Sequence, residues 1–505
     1  MNERVRIELR PLGRVIEVPL GTPLHEVLFA HGVEFPCGGQ GRCRGCRVKL
    51  LAGQLPITPD EESAFTPAEL EAGWRLACRI HADTNLTLEL AQWEASILTD
   101  NSIFDFRPRD GLGVAVDLGT TTLVAQLLDR RTGHVLAVRT ALNAQALHGA
   151  DIMSRVNYAL ADDGRRKLEQ LIREQIGELI LELGLAANRP VEEVAEVVVV
   201  GNTVMHHLFC GLNLQPLSHY PFESPNGGPQ VFRAEELGWN RGVRSTVRFQ
   251  PCLGGFVGSD ILAGILATRL HQSRELVGLI DLGTNGEIVL GNQDRILCAS
   301  TAAGPAFEGA RLSMGMRAAT GAISKVMVHQ GGLECKVLGE GPARGVCGSG
   351  LVDAIAAGLD LGWIQPSGRL TDKKQTLVLC PPVTLNQADV RQLQLAKAAI
   401  AAGIRILLEK WGAKPSDVHK VYLAGAFGNY INRSSARRIG LYEFHLDQVQ
   451  PAGNTALLGA KLALFAPPDE DYSFSEVRSR VQHLSLNEDP HFQDIFLDEI
   501  GFPQQ

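Results

Sequence analysis

The sequence predicts a small α+β domain of strand–strand–helix order, followed by a two-lobed α/β body. Three observations carry this. Four cysteines near the amino-terminal end stand as three close together and one remote. A strand–Asp-Leu-Gly-Thr–strand pattern occurs twice, at 113–129 and 278–291. Long helical stretches such as GRRKLEQLIREQIGELILELG (164–184) intervene. At 505 residues the chain is too long for one core, so two or three domains are expected.

The composition narrows the class. A hydrophobic content of 45% with 21% charged residues is that of an ordinary globular protein. The net charge of −8 argues against nucleic acid and anionic membrane as partners. There is no apolar run of about 18 residues to span a bilayer, and MNERVRIELR lacks the apolar core of a secretory signal. The expected location is the cytoplasm, where thiols stay reduced. The ten cysteines are therefore read as ligands or inert core residues rather than disulfides. Cys210, Cys252, Cys298, Cys335, Cys347 and Cys380 are scattered and fall in the inert group.

The other four form a set. Cys37, Cys43 and Cys46 follow C-x5-C-x2-C, and Cys78 comes after 31 further residues. Three clustered thiolates and a distant fourth hold a [2Fe–2S] cluster in small ferredoxins. The first gap is one residue longer than in plant-type loops, as in adrenodoxin-like ferredoxins. A loop wrapped round a cluster turns tightly, which suits Gly38, Gly39, Gly41 and Gly45. A structural zinc site usually uses two C-x2-C pairs, and only one is present. The flanks fit a β-grasp ferredoxin over 1–96: VRIELR and RVIEVPL as a hairpin turning near Leu12-Gly13, a helix capped at Thr22, then strands RVKLLAG and TNLTLEL. Arg42, Arg44, Arg47 and Lys49 rim the loop, either as solvated surface or as a docking rim for an acidic redox partner.

A linker over 97–111 leads to the first hairpin, GVAVDLGTTTLVAQLLD, and GLIDLGTNGEIVLG repeats its pattern. Asp117 and Asp281 stand 164 residues apart, about one lobe, so two related lobes are expected over 112–276 and 277–505. Each strand ends in a carboxylate that can hold Mg²⁺ directly or through water. Gly119, Thr120 and Thr121, and Gly283, Thr284 and Asn285, then offer donors for phosphate oxygens. Aspartic proteases also carry D-x-G-T hairpins, but their lobes are nearly all β. No G-x4-G-K-[ST] loop occurs.

A third element, KVYLAGAFGNY, ends a strand in Gly425, Ala426 and Gly428, where missing side chains let a base and ribose lie against backbone. Gly201, Asn202 and Thr203 open a helix and can donate to an anion. Adjacent His206 and His207 diverge by about 100° on a helix and are read as packing or surface residues. Gly304 and Glu308, in STAAGPAFEGA, are placed beneath the phosphates, and GVCGSGL as either close helix packing or ligand contact. Two phosphate hairpins followed by a glycine-rich adenosine turn resemble the acetate and sugar kinase, heat-shock-70 and actin (ASKHA) superfamily, which has a ribonuclease-H-like fold.

Taken together, CGGQGRCRGC with Cys78, DLGTTT, GNTVMHHLFCGL, DLGTNGE, AAGPAFEGA, CGSGL and AGAFGNYIN closely resemble the reductive activators of corrinoid-dependent methyltransferases. The resemblance covers nearly the whole chain. It implies a [2Fe–2S] cluster on Cys37, Cys43, Cys46 and Cys78, and Mg-ATP in the body. It implies transfer of one electron from a low-potential donor to Co(II) of a corrinoid protein or corrinoid-dependent methyltransferase, restoring Co(I), and a homodimer. Asp117 and Asp281 would hold Mg²⁺ and water, with Glu287 and Glu308 as candidates to polarise the attacking water. The linker is short for the family, which limits the swing of the cluster. Two other readings stand beside this one: a small-metabolite kinase with an attached redox sensor, and a nucleotide-sensing electron carrier without turnover.

Overall fold

A computed structural model describes residues 4–504 apart from 11–12, 29–30, 32, 34–40, 42–45, 91–105, 150, 240–241, 340, 372–375 and 466–473. The chain forms two compact units. The first joins Met1–Ser96, Ala146–Asp151 and Pro305–Leu393; the second holds Ile97–Gln145, Ile152–Gly304 and Gln394–Gln505.

In the first unit, strands Arg14–Pro19, Arg4–Arg10, Leu86–Leu90, Arg47–Ala52 and Trp74–Leu76 lie side by side in that order. Val5, Ile7 and Leu9 alternate into the core, as a strand's two-residue period requires, and meet Leu24, Leu28, Val48, Leu76 and Leu88. The strand–strand–helix order along the chain is the β-grasp order expected, while the strand Trp74–Leu76 is an addition to it. The helix differs: it is described over Leu24–Leu28, and the Thr22 hydroxyl donates to Pro19 O (2.7 Å) rather than capping it. Two short helices, Pro59–Ala64 and Pro67–Glu71, were not foreseen. Each opens on a Thr–Glu capping box, Thr58 with Glu61 and Thr66 with Glu69, a signal legible in TPDEE and TPAEL.

The later segment of this unit carries a sheet of Gly332–Val337, Ala322–His329 and Gly345–Val346, with helix Gly348–Asp360 against it. It meets the amino-terminal segment through polar contacts. Arg344 pairs with Glu89 (2.8 Å) and donates to Leu90 O (3.2 Å), and Arg47 donates to Ser313 O (3.4 Å). Arg42 and Arg44 lie outside the described residues.

The second unit holds two six-stranded sheets of the same plan. In the first, Leu112–Leu118, Thr122–Asp129 and Val135–Leu142 run antiparallel, while Val194–Gly201 and Thr246–Phe249 continue from Leu112–Leu118 in parallel. In the second, Val277–Leu282, Gly286–Gly291 and Ile296–Thr301 run antiparallel, and Lys420–Ala424 and Val449–Gly453 continue in parallel. The repeated Asp-Leu-Gly-Thr motif is thus the visible part of a repeated sheet. Val197 to Val200 are buried without alternation, as in a strand covered on both faces. Helix Gly164–Ala187 covers the first sheet with Leu168, Ile172, Ile176, Ile180 and Leu183, a helical stripe. Helices Ser259–Ala267 and Thr455–Phe465 share one core with residues of both sheets, including Val198, Val200, Leu279 and Val289. No described helix is long and apolar enough to cross a membrane.

Candidate functional site

Asp117 stands at the carboxyl end of Leu112–Leu118, where the hairpin turns through Gly119, Thr120 and Thr121. Asn143 takes two carbonyls of that turn, its amide Nδ2 donating to Gly119 O (2.9 Å) and its backbone N–H to Thr121 O (2.9 Å). Arg155 Nη2 donates to Thr120 O (2.5 Å). With its carbonyls already engaged, the turn suits an anion. Asn202 fixes it from the side: Nδ2 donates to Thr120 Oγ1 (2.8 Å), while Oδ1 accepts from Met205 N–H and caps helix Thr203–Cys210.

Asp281 occupies the matching place in the second sheet. Glu287 is directly opposite it across the hairpin, and Ala424 is its neighbour on the other side. The next residue, Gly425, has φ +78, and a Cβ there would lie 2.4 Å from Asp281 Oδ1. This glycine, read from sequence as an adenosine contact, therefore also makes room for the Asp281 carboxylate. Gly425, Ala426 and Gly428 lie in helix Gly425–Tyr430. The second turn is closed by Gly283 N–H on Asn285 O (3.0 Å).

Two residues were missed. Asp260 lies in the first turn of helix Ser259–Ala267, whose Ser259 Oγ donates to Gly201 O (3.2 Å) and accepts from Gly201 N–H (3.1 Å). Asn454 donates through Nδ2 to Asp117 Oδ2 (2.8 Å), and its Oδ1 accepts from Leu457 N–H at the start of Thr455–Phe465. A signal for Asn454 was present, because Gly453-Asn454-Thr455 repeats Gly201-Asn202-Thr203. For Asp260 the cue was weaker: an acid following small residues at the start of an apolar helix.

Asp117, Asp260, Asp281 and Glu287 feel one another. Each keeps a partly open face yet is enclosed by protein, as groups on a cleft floor are. Burial pushes Asp117 up to about 6, against the bond from Asn454. Burial and the Asp117 charge push Asp281 up to about 7. Burial, then chiefly Asp281, push Asp260 up to about 8. Glu287 is raised by burial and by Asp260 and Asp281. Adjacent carboxylates that resist ionising together attract a cation. Among the described residues no three metal-ligating groups close on one point.

A raised folded pKa on an acid stabilises the fold below the unfolded pKa, and that stability is lost as pH rises through the folded value. Because the lowered pKa values of the buried His206, His207 and His271 add stability as pH rises toward 6.5, the thermal midpoint in Mg²⁺-free, nucleotide-free buffer is expected to fall between pH 6.5 and pH 8. Adding Mg-ADP should flatten the slope. A midpoint that rises over this range would show that the four groups are not a coupled set.

Glu308 lies in the turn Pro305–Glu308 of the first unit, and Gly304 ends the preceding segment with φ +79. In the ferredoxin segment, Cys46 and Cys78 are buried with their Sγ atoms 3.4 Å apart. That is too long for a disulfide and near the roughly 3.8 Å between two thiolates on one tetrahedral metal with bonds of about 2.3 Å. Gly41, in the loop before Cys46, has φ +72. Cys37 and Cys43 lie outside the described residues. Of the scattered thiols, Cys210, Cys252, Cys298 and Cys347 are buried, whereas Cys335 and Cys380 are half-buried; burial pushes Cys252 up to about 12 and Cys335 up to about 11, and raises Cys210 and Cys298. His206 and His207 are buried, bonded to Gly228 O and Ser224 Oγ respectively, and serve packing.

Comparison with known proteins shows the family. Family models match for a 2Fe-2S iron-sulfur cluster binding domain over 7–83, the RACo middle region over 112–273 and the C-terminal domain of RACo, the ASKHA domain, over 275–505. The class is thus a [2Fe–2S] ferredoxin domain joined to an ASKHA-type nucleotide-binding body, with a [2Fe–2S] cluster and Mg-ATP as its cofactors. Among curated relatives, the corrinoid activation enzyme RamQ of Eubacterium limosum is 36% identical over 441 residues, 80% of this chain and 74% of that one. The Co(II) methylated amine-specific corrinoid protein reductase of Methanosarcina barkeri is 28% identical over 422 residues, 77% of each chain. A solved structure, the reductive activator for corrinoid, iron-sulfur protein, matches with a TM-score of 0.71 at 26% identity, covering 99% of this chain and 98% of its own. The chain belongs to this family of reductive corrinoid activators.

Proposed function

We propose that the protein delivers one electron to Co(II) of a corrinoid protein, restoring Co(I), and that ATP hydrolysis in the two-lobed body drives the delivery. The observation that carries this is the presence on one chain of a buried cysteine pair at ligand spacing and of four acids, Asp117, Asp281 and Glu287 on the two repeated hairpins and Asp260 at the start of helix Ser259–Ala267. When bound, the cluster supplies a one-electron store, filled by a low-potential donor. Cys37, Cys43, Cys46 and Cys78 hold it. Asp117 and Asp281 hold the water shell of Mg²⁺, with Asn454 orienting Asp117. Thr120, Thr121, Thr284, Asn285 and the Gly201–Thr203 turn receive phosphate oxygens, and Gly425, Ala426 and Gly428 face the adenosine. Asp260 joins Glu287 and Glu308 as a candidate to take the proton of the attacking water. Its place at a helix start held on the Gly201 turn favours it.

ATP can promote the transfer only by its differential affinity for two states, so nucleotide changes either affinity for the corrinoid partner or the cobalt coordination. The proposed division is 1–96, 97–111, 112–276 and 277–505, and the cytoplasm is the proposed location. The test is anaerobic. Reduced protein is mixed with Co(II) corrinoid proteins, with and without Mg-ATP, and the Co(I) absorption band is followed. The band should grow only with nucleotide. ATP consumption that responds to a small metabolite and ignores the corrinoid protein would favour the kinase reading, and nucleotide binding without turnover would favour the carrier reading.

A further inference from the structure

One ion pair in the ferredoxin segment lies beside Gly41, five residues before Cys46. Arg79 directly follows Cys78, and its Nε lies 2.6 Å from Asp60 Oδ2. Both ends are anchored by backbone. Asp60 sits in the first turn of helix Pro59–Ala64, whose Glu61 accepts from Leu76 N–H (2.8 Å). The short turn Ala77–Arg79 is tied by Ala77 N–H on Cys46 O (3.0 Å). Gly41 lies against both charges: a Cβ there would lie 2.6 Å from Arg79 Nε and 2.8 Å from Asp60 Oδ2.

The pair is half-exposed, at 33% and 49%, and such pairs contribute little to stability. A fixed cation and anion do act on a neighbouring redox centre. The reduced cluster carries one more negative charge than the oxidised, so a nearby cation favours reduction and an anion opposes it. We propose that Arg79 and Asp60, packed together against Gly41, set the reduction potential of the cluster, with Asp60 offsetting the upward pull of Arg79 so that the electron leaves at low potential. This rests on the assignment of Cys46 and Cys78 as cluster ligands.

The test is a redox titration of the reconstituted full-length protein, followed by visible absorption and by the paramagnetic signal of the reduced cluster. At a solution potential fixed near the wild-type midpoint, Arg79→Gln should lower the reduced-to-oxidised ratio about fivefold, and Asp60→Asn should raise it by a similar factor. The double variant should return to within about twofold of wild type. Arg79→Lys, which keeps the charge, should stay close to wild type and serves if Arg79→Gln loses the cluster. Shifts of the same sign in Arg79→Gln and Asp60→Asn, or no shift in either, overturn the proposal, because a merely structural clasp would loosen the site in both. Cys78→Ser separates the two levels. If its iron content and spectrum match wild type, the ligand assignment fails and the proposal with it; if its spectrum changes while the charge variants fail to oppose one another, the charge pair alone is wrong.

Discussion

Asp117→Asn protein is expected to lose ATP turnover by at least about 100-fold while its cluster spectrum stays intact. The carboxylate lies at the end of a buried strand and accepts a hydrogen bond from Asn454. The substitution keeps shape and removes charge. Changes one shell further from a metal commonly cost 10–100-fold, and loss of a charge facing the ion itself should exceed that. A second readout separates chemistry from misfolding. In wild type, burial disfavours the Asp117 charge, which in turn raises Asp281. A neutral amide relieves both, so in Mg²⁺-free buffer near pH 8 the variant should melt no lower than wild type. Turnover within tenfold of wild type, measured as phosphate release, would remove Asp117 from the proposed Mg²⁺ site.

Gly425→Ala, just after the strand Lys420–Ala424, should be strongly damaging. The new Cβ would stand 2.4 Å from Asp281 Oδ1 and 3.1 Å from Leu282 O, at a φ of +78 that alanine adopts only with strain. Strained backbone of this kind costs about 1–3 kcal/mol, and the carboxylate must also move. The expected result is at least a tenfold loss of ATP turnover with a lower thermal midpoint; Asp281→Asn, whose neutral amide tolerates displacement better, should restore part of the midpoint and none of the turnover. Turnover within twofold of wild type would mean that Asp281 does not need its observed position.

The contrast between Asp117 and Asp260 shows what the sequence made legible. Asp117 and Asp281 end apolar strands and precede glycine turns, and the repeat exposed them together. Their pairing with Glu287 was within reach, since a two-stranded register puts it opposite Asp281. Asp260 belongs to a helix that joins the site only through tertiary contacts with Gly201, so no local period marks it. Asn454 lay hidden differently. Its tripeptide echoes Gly201-Asn202-Thr203, but the amide reaches Asp117 across more than 300 residues of chain. The β-grasp strand order was legible from alternation, whereas the helices Pro59–Ala64 and Pro67–Glu71 are too short for periodicity and announce themselves only through their caps.

The contacts of Glu89 and Arg47 with Arg344 and Ser313 have a consequence for biosynthesis. The first compact unit is assembled from pieces of chain separated by about 210 residues. At 5–20 residues per second on the ribosome, the amino-terminal piece waits on the order of 10–40 s before the second piece emerges to meet it. Iron and sulfide delivered during that interval encounter a nascent ferredoxin without its later neighbour. A pause in translation near codon 300 would lengthen this window for metallation, and a faster message would shorten it.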